Sequence, residues 1–223
     1  MRKVYVIGVG PGAKEYLLPI ALKRIRESDC LIGAPRILKG FKNLKKEKIA
    51  YNSNFEELIH YVRINRTKKR IAILVSGDPG LYSFLDKISA GLKKNEYEVI
   101  PGISAMQLAF ARIGESWEDA KIISLHGRST GNLALEVRKN PKVFLFTDPD
   151  FPPEKIAAYL IEKNISNKRA IVLKNLGYPD ERIIDTDLRK LSKASPALPQ
   201  DKELIRIRKG GIKDFRLCVM IIR

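Results

Sequence analysis

Two stretches, Ile73-Leu-Val-Ser-Gly-Asp-Pro-Gly80 and Val99-Ile-Pro-Gly-Ile-Ser-Ala-Met106, decide how this chain folds. Each is an apolar, largely β-branched run that stops abruptly at glycine or proline beside small polar residues, which is typical of a buried strand entering a loop. They lie about one βα unit apart and follow a glycine-rich turn at residues 8–13. In open α/β sheets, ligands bind beyond the carboxyl ends of the strands. The sequence therefore predicts a ligand site where these strands end.

The rest of the chain alternates strand and helix patterns, which predicts an α/β fold. In the first half we expect strands at residues 3–8, 30–33, 70–76 and 98–101, and helices at 16–27, 55–65, 83–92 and 104–113. After Trp117 the alternation restarts, with strands at 122–125, 143–146 and 170–173 and a helix at 153–163. Strand patterns at 182–187, 203–206 and 217–222 follow, with little helix between them. We therefore expect two α/β domains, residues 1–114 with a mainly parallel sheet and residues 115–223 with a mixed sheet.

Composition sets outer limits on the class of protein. The chain has 223 residues, of which 44% are hydrophobic, enough for a packed core in each domain. Its first apolar run breaks at Gly8, too early for a signal peptide, and no segment approaches the 18 apolar residues of a membrane span. The two cysteines, Cys30 and Cys218, form no CxxC pair and are expected in the core. We predict a cytoplasmic protein without a membrane partner.

The formal net charge of +17 includes basic runs at residues 42–48 and 66–70. Three interpretations are open: a solvated, lysine-rich surface, attraction of a polyanionic small substrate, and binding of nucleic acid. No recognised RNA-binding or DNA-binding motif is present, which argues against nucleic acid.

The turn at residues 8–13 also matches the dinucleotide pattern GxGxxA. Such a turn holds pyrophosphate with backbone N–H groups, and Pro11 lacks one. A ribose-binding acid at the end of the second strand is missing, because Asp29 precedes that strand. These details argue against NAD or FAD, and a tight turn with structural glycines remains the alternative.

Four segments in this order resemble the S-adenosylmethionine-dependent tetrapyrrole methylases: residues 9–12 (VGPG), 76–80 (SGDPG), 99–104 (VIPGIS) and 173–181 (LKNLGYPDE). Residues 102–109, 117–120 and, most sharply, 124–128 (SLHGR) resemble the branch that methylates C-5 of cobalt-carrying precorrins. The resemblance implies two α/β domains with S-adenosylmethionine in the cleft between them, and a homodimer. It implies an anionic tetrapyrrole substrate that carries cobalt, with no metal held by the protein. By the same resemblance we expect a stand-alone enzyme, with a separate decarboxylating methyltransferase as a partner.

The resemblance also implies a set of site residues. Those expected to bind the cofactor are Pro11, Gly77, Asp78, Pro79, Leu81, Ser104, Ala105, Thr147 and Leu176. Those expected to bind the substrate are Gly10, His126 and Arg128, and the planar guanidinium of Arg128 suits a substrate carboxylate. Structural alternatives stay open at three positions: a turn cap at Asp78, a helix cap at Ser104 and an ordinary hydrogen-bonded histidine at His126.

The reaction expected from the resemblance is transfer of a methyl group to an electron-rich ring carbon, with the macrocycle as the nucleophile. No nucleophilic side chain is then needed, and orientation in a partly dry cleft supplies most of the catalysis. His126 is the candidate for a general base. A different acceptor on the same fold, such as another precorrin position or a diphthamide precursor, and an RNA-binding protein without enzymatic activity are the alternatives.

Overall fold

The structure, a computed structural model, describes residues 2–51, 54–127, 130–193 and 218–223. The chain forms two compact units, Met1–Ala105 and Met106–Arg223, and each is built on a five-stranded sheet. The units divide at the start of a helix, Ala105–Ile113, whereas the sequence placed the boundary just after it.

The first sheet has the strand order β3, β2, β4, β1, β5, and its strands are β1 (Val4–Gly8), β2 (Cys30–Gly33), β3 (Glu47–Ala50), β4 (Ile71–Val75) and β5 (Tyr97–Ile100). Strand β4 pairs in parallel with β1 on one side and with β2 on the other, and all five of its residues are buried. A central parallel strand is covered on both faces, which explains its unbroken apolar run. Strands β3 and β5 extend the sheet, also in parallel, so the predicted parallel sheet is confirmed.

Helices cover both faces of the first sheet: α1 (Pro19–Glu27) and α2 (Pro35–Lys39) on one face, α3 (Phe55–Asn65) and α4 (Leu85–Gly91) on the other. The alternation of β4 divides its side chains between the two cores. Ile71, Ile73 and Val75 pack with the second helix pair, and Ala72 and Leu74 pack with the first.

Local sequence sets where these helices begin. We expected α1 from residue 16, but it begins at Pro19, after a short 3₁₀ turn at Lys14–Tyr16. Leu18 has φ −61° and ψ 142°, because proline holds the residue before it in an extended conformation. Helix α3 begins where expected, since the Asn54 side chain accepts a hydrogen bond from Glu57 N at 3.2 Å.

The second sheet has the strand order β6, β7, β10, β8, β9, and its strands are β6 (Ala120–Ser124), β7 (Lys142–Phe146), β8 (Arg169–Lys174), β9 (Arg182–Asp187) and β10 (Cys218–Ile222). Strands β6 and β7 are parallel, whereas β10 runs antiparallel to both β7 and β8, and β8 runs antiparallel to β9. The predicted mixed sheet is confirmed. Strands β6, β7 and β8 therefore all end at the same edge.

One face of the second sheet packs against α6 (Leu133–Lys139), α7 (Pro153–Glu162) and α8 (Leu188–Lys193). On β7, Val143 and Leu145 belong to this core. The alternate residue, Phe144, lies with its ring centroid 6.0 Å from that of Phe110 on α5 (Ala105–Ile113). Both cysteines lie in the cores, Cys30 in the first unit and Cys218 in the second.

Four short elements were not predicted: β3, α2, α6 and α8. Strand β3 lies at a sheet edge with charged and partly exposed residues, so its sequence has no apolar run. Helix α8 corrects our expectation of little helix after residue 182; it buries Leu188 and Leu191, one turn apart. The strand predicted at 203–206 and residue 217 lie outside the described residues.

Within the described ranges, no helix combines the length and the apolar character that crossing a bilayer requires.

Candidate functional site

Three loops meet at the carboxyl edge of the first sheet, after β1, β4 and β5. Gly10 and Gly77, from the first two, form an isolated antiparallel bridge in which Gly77 N donates to Gly10 O at 2.9 Å and Gly10 N to Gly77 O at 3.4 Å. Both glycines have positive φ, +80° and +66°, a conformation that most side chains disfavour. These two residues, both predicted to belong to the site, are therefore neighbours.

Glycines also allow the three loops to pack backbone against backbone. A Cβ on Gly8 would lie 2.5 Å from Gly77 O and 2.7 Å from Gly102 N, and a Cβ on Gly102 would collide with Gly77 O and with the backbone of Gly8. The glycines of the GxGxxA turn thus serve loop packing, the structural alternative that the sequence left open. We call residues 8–11, 76–81 and 101–105 the glycine rim.

Asp78 joins two loops of the glycine rim through its carboxylate. Oδ1 accepts a hydrogen bond from Gly80 N at 2.8 Å, and Oδ2 accepts one from Gly102 N at 3.0 Å. The first contact is the turn cap that we considered, and the second fixes the β4 loop to the β5 loop. The side chain is half-buried, and an ionised carboxylate has about four acceptor positions, so it retains capacity for a ligand.

The other predicted residues of the first unit also lie on the glycine rim. Pro11, Pro79 and Ser104 are buried, whereas Leu81 and Ala105 are partly exposed. Ser104 directly precedes α5, and a Cβ on Gly77 would lie 3.6 Å from its Cα. The structure therefore brings together all eight predicted residues of this unit.

The predicted residues of the second unit follow β6, β7 and β8 at their shared edge. Thr147, after β7, is buried, and its hydroxyl donates to Cys218 O at 2.8 Å, where β10 begins. That hydroxyl proton is used within the fold. His126, two residues after β6, is exposed, and Arg128 lies outside the described residues.

Asp148, which our sequence reasoning did not single out, contacts His126. Its Oδ2 lies 3.3 Å from His126 Nδ1 and accepts a hydrogen bond from Gly127 N at 2.9 Å, while Oδ1 accepts one from Asp150 N at 2.9 Å. The N–H groups of Gly127 and Asp150, followed by His126, hold the pKa of this carboxyl below its ordinary value. The signal available in the sequence was an Asp two residues after a strand, at the same offset as the histidine after its own strand.

Leu176 lies in a tightly held loop after β8. Leu176 is buried, and its two chain neighbours have positive φ: +51° at Asn175 and +77° at Gly177. Glu181 fixes the loop by accepting from Gly177 N at 2.7 Å, and Arg112 of α5 pairs with the same carboxylate at 2.5 Å. Glu181 belongs to the quoted LKNLGYPDE segment, but its positioning role needed the tertiary structure.

The two basic runs lie at the opposite, amino edge of the first sheet. Arg66, Lys69 and Arg70 pair with Glu96, Glu47 and Asp29 at 2.5, 2.5 and 2.9 Å. Lys46 donates to Arg26 O at 2.6 Å and also to Ser28 O, at the end of α1. These cations stabilise the fold at the edge away from the glycine rim, which favours the structural interpretation of these two runs.

Comparisons with known proteins identify the family. The family model for Tetrapyrrole (Corrin/Porphyrin) Methylases matches residues 3–192. The chain belongs to the tetrapyrrole methylases, as the sequence motifs predicted.

Two curated relatives match most of the chain. The protein named "Probable cobalt-precorrin-7 C(5)-methyltransferase" from Methanocaldococcus jannaschii is 36% identical over 85% of this chain and 91% of its own length. The cobalt-precorrin-7 C(5)-methyltransferase of Salmonella typhimurium is 30% identical over 80% of this chain and 87% of its own. Among solved structures, uroporphyrin-III C-methyl transferase from Thermus thermophilus, complexed with S-adenyl homocysteine, shares the fold with a TM-score of 0.72 and 17% identity, covering 99% of this chain and 91% of that one.

Proposed function

We propose that this protein is an S-adenosylmethionine-dependent methyltransferase that methylates C-5 of cobalt-precorrin-7 in the anaerobic route to cobalamin. The observation that carries the proposal is the match to relatives of that name over 80% or more of the chain. The SLHGR segment at 124–128 supports the same branch. When bound, S-adenosylmethionine supplies an electrophilic methyl group on a sulfonium.

The glycine rim fits such a cofactor chemically. Its half-buried Asp78 carboxylate can accept from ribose hydroxyls or an amino group while still holding Gly80 N and Gly102 N. The partly exposed Leu81 and Ala105 supply apolar surface beside it, and the buried Pro11 and Pro79 restrict the backbone of their loops. We assign cofactor binding in this unit to Pro11, Gly77, Asp78, Pro79, Leu81, Ser104 and Ala105.

In the second unit we assign Thr147 and Leu176 to the cofactor as well. Thr147 is expected to contribute through its backbone, because its hydroxyl donates to Cys218 O. Leu176 is expected to contribute through the backbone of a loop that Glu181 holds. This second assignment predicts that Glu181→Gln weakens cofactor binding although its side chain does not contact the cofactor.

Substrate binding is assigned to Gly10, His126 and Arg128. Arg128 is assigned to bind a carboxylate of the anionic macrocycle through paired hydrogen bonds. Cobalt enters as part of the substrate. We expect Arg128→Ala chiefly to raise KM for the tetrapyrrole, with affinity for S-adenosylhomocysteine unchanged. Loss of cofactor binding in this variant would contradict the division of roles.

A homodimer, a separate decarboxylating methyltransferase as partner and a cytoplasmic location remain predictions. Light scattering of the purified protein tests the first. Co-purification with the decarboxylating enzyme and cell fractionation test the other two.

The decisive experiment has two stages. Isothermal titration with S-adenosylhomocysteine, NADH and a short RNA at moderate salt separates the classes of ligand. We expect micromolar binding of S-adenosylhomocysteine alone, whereas binding of RNA alone, with steep salt dependence, would contradict an enzyme.

The second stage supplies S-adenosylmethionine with cobalt-precorrin-7, its cobalt-free form, an earlier precorrin or a diphthamide precursor. Mass spectrometry follows replacement of one hydrogen by methyl, and NMR locates the new methyl carbon. Methylation at C-5 of cobalt-precorrin-7 supports the proposal. Preference for any other acceptor would assign the chain to a different reaction on the same fold.

A further inference from the structure

His126 and Asp148 are brought together by the register of two parallel strands. Ser124, the last residue of β6, lies opposite Phe146, the last residue of β7, so the residues two positions beyond each strand end are neighbours. The resulting distance from His126 Nδ1 to Asp148 Oδ2 is 3.3 Å. The two side chains differ in exposure: 73% of the His126 side chain is accessible, against 17% of that of Asp148.

The carboxylate of Asp148 is held in place by contacts other than the one with His126. Gly127 N and Asp150 N each donate to one of its oxygens at 2.9 Å, so the backbone of both loops fixes its orientation. Of the two neutral tautomers of the ring, a fixed acceptor beside Nδ1 favours the one in which Nδ1 carries the proton. The lone pair of Nε2 is then available on a largely exposed side chain. In histidine bases, an orienting carboxylate has this effect on tautomer and orientation.

We propose that His126 is the proton acceptor of this enzyme and that Asp148 is the residue that positions it. The inference rests on the proposed function and adds to it the residue that sets the histidine tautomer. The ring carbon that gains a methyl group in place of hydrogen must lose that hydrogen as a proton. The C–H bond breaks, its electron pair returns to the macrocycle, and a new N–H bond forms at His126 Nε2. The imidazolium that results is stabilised by Asp148 and passes its proton to water.

The tautomer can be measured without substrate, because the chain has two histidines. In a His60→Asn background, His126 alone reports in ¹⁵N–¹H correlation spectra of the ring. We expect the Nδ1–H form to predominate, and Asp148→Asn to shift the ring nitrogens toward the Nε2–H form. Asp150→Asn is the matched control, since it removes an exposed carboxylate two residues away and keeps the backbone N–H that Asp148 uses. Equal spectra for the Asp148 and Asp150 variants would overturn the positioning role.

Turnover of cobalt-precorrin-7 tests the role of base. General-base catalysis typically contributes a factor of about 100 or more, so His126→Ala should lower kcat roughly 100-fold with unchanged affinity for S-adenosylhomocysteine. Added imidazole should restore part of that rate. We expect Asp148→Asn to lower kcat about tenfold, without imidazole rescue, and Asp150→Asn to match the wild type. Wild-type kcat in His126→Ala would overturn the base role.

Measurements of S-adenosylhomocysteine binding and of cobalt-precorrin-7 turnover by the wild type distinguish this inference from the proposed function. If the wild type binds S-adenosylhomocysteine but leaves cobalt-precorrin-7 unchanged, the proposed function fails and the base role fails with it. If the wild type methylates cobalt-precorrin-7 and the His126 and Asp148 variants do so at the same rate, only the inference fails. Circular dichroism of each variant identifies any loss of fold, and His126→Gln then replaces an unfolded alanine variant.

Discussion

The two edges of the first sheet lie about 15 Å apart, the length of a strand of four or five residues, and they are held together in opposite ways. At the amino edge, long charged side chains pair with one another: Arg70 with Asp29, Lys69 with Glu47, and Arg66 with Glu96. At the carboxyl edge, glycine backbones pack directly, joined by backbone bonds and the single carboxylate of Asp78.

This difference separates stability from binding along one sheet. At the amino edge, charged side chains are paired with one another, and burial and Glu47 together raise the pKa of Tyr61 to about 12. At the carboxyl edge, small residues let the loops pack closely around the half-buried carboxylate of Asp78. Substitutions at the two edges should therefore affect different measurements.

The largest effect is expected for Gly102→Ala at the carboxyl edge. Its Cβ would collide with the backbone of Gly77 and Gly8, which cannot move without separating the loops. We expect a loss of about 3 kcal/mol in the free energy of unfolding, because overpacking against backbone is costly. Urea denaturation measures it. Gly114→Ala is the control: its Cβ meets nothing within 4 Å, so only its φ of +70° costs, about 1 kcal/mol. Equal losses would show that the glycine rim is not close-packed.

Glu96→Gln at the amino edge should be next in size. Arg66 is buried, with 8% of its side chain exposed, and would lose the carboxylate that compensates its charge. A loss of about 2 kcal/mol in unfolding free energy is expected, with unchanged affinity for S-adenosylhomocysteine. Glu162→Gln breaks the exposed pair with Lys163 and should cost almost nothing. Weakened ligand binding in Glu96→Gln would contradict the separation between the two edges.

Asp78→Ala should show the reverse pattern. Without the carboxylate, Gly80 N and Gly102 N lose their acceptor and the β4 and β5 loops are no longer joined. We expect affinity for S-adenosylhomocysteine to fall about tenfold by calorimetry, and stability to fall by about 1 kcal/mol. Asp86→Asn, on the nearby helix α4, serves as the charge control. Full affinity in Asp78→Ala would remove this residue from the site.

The smallest effect is a pH dependence at the amino edge. Hydrogen bonds from the Arg70 side chain and backbone lower the pKa of Asp29 to about 2. Because an unfolded aspartate titrates near pH 4, the stabilisation from Asp29 is fully present above about pH 4 and is lost as the pH falls to about 2. Asp29 is 40% exposed, so solvent reduces the effect. Thermal unfolding of Asp29→Asn between pH 5 and pH 2 should therefore show a slightly shallower decline than the wild type, and parallel curves would contradict the assignment.

Much of the fold was predictable because it depends on local signals. The unbroken apolar run of β4 predicted a buried strand of a parallel sheet, and Asn54 with Glu57 marks the start of α3. The short helix α8 was missed because only two buried leucines define it. The motifs also placed eight candidate residues on one edge of the first sheet, where the structure has them. Asp148 and Glu181 were not identified as positioning residues, because each acts on a residue that lies beside it only through tertiary contacts.

The sequence by itself determined the family, the two sheets and the positions of the loops, because each depends on the order of apolar runs and glycines along the chain. The tertiary structure decided what the polar residues do. It assigned the basic runs to ion pairs and helix capping, gave Asp78 two backbone partners and placed Asp148 beside His126. Such assignments depend on distances of about 3 Å between residues far apart in sequence, and only the register of the strands sets those distances.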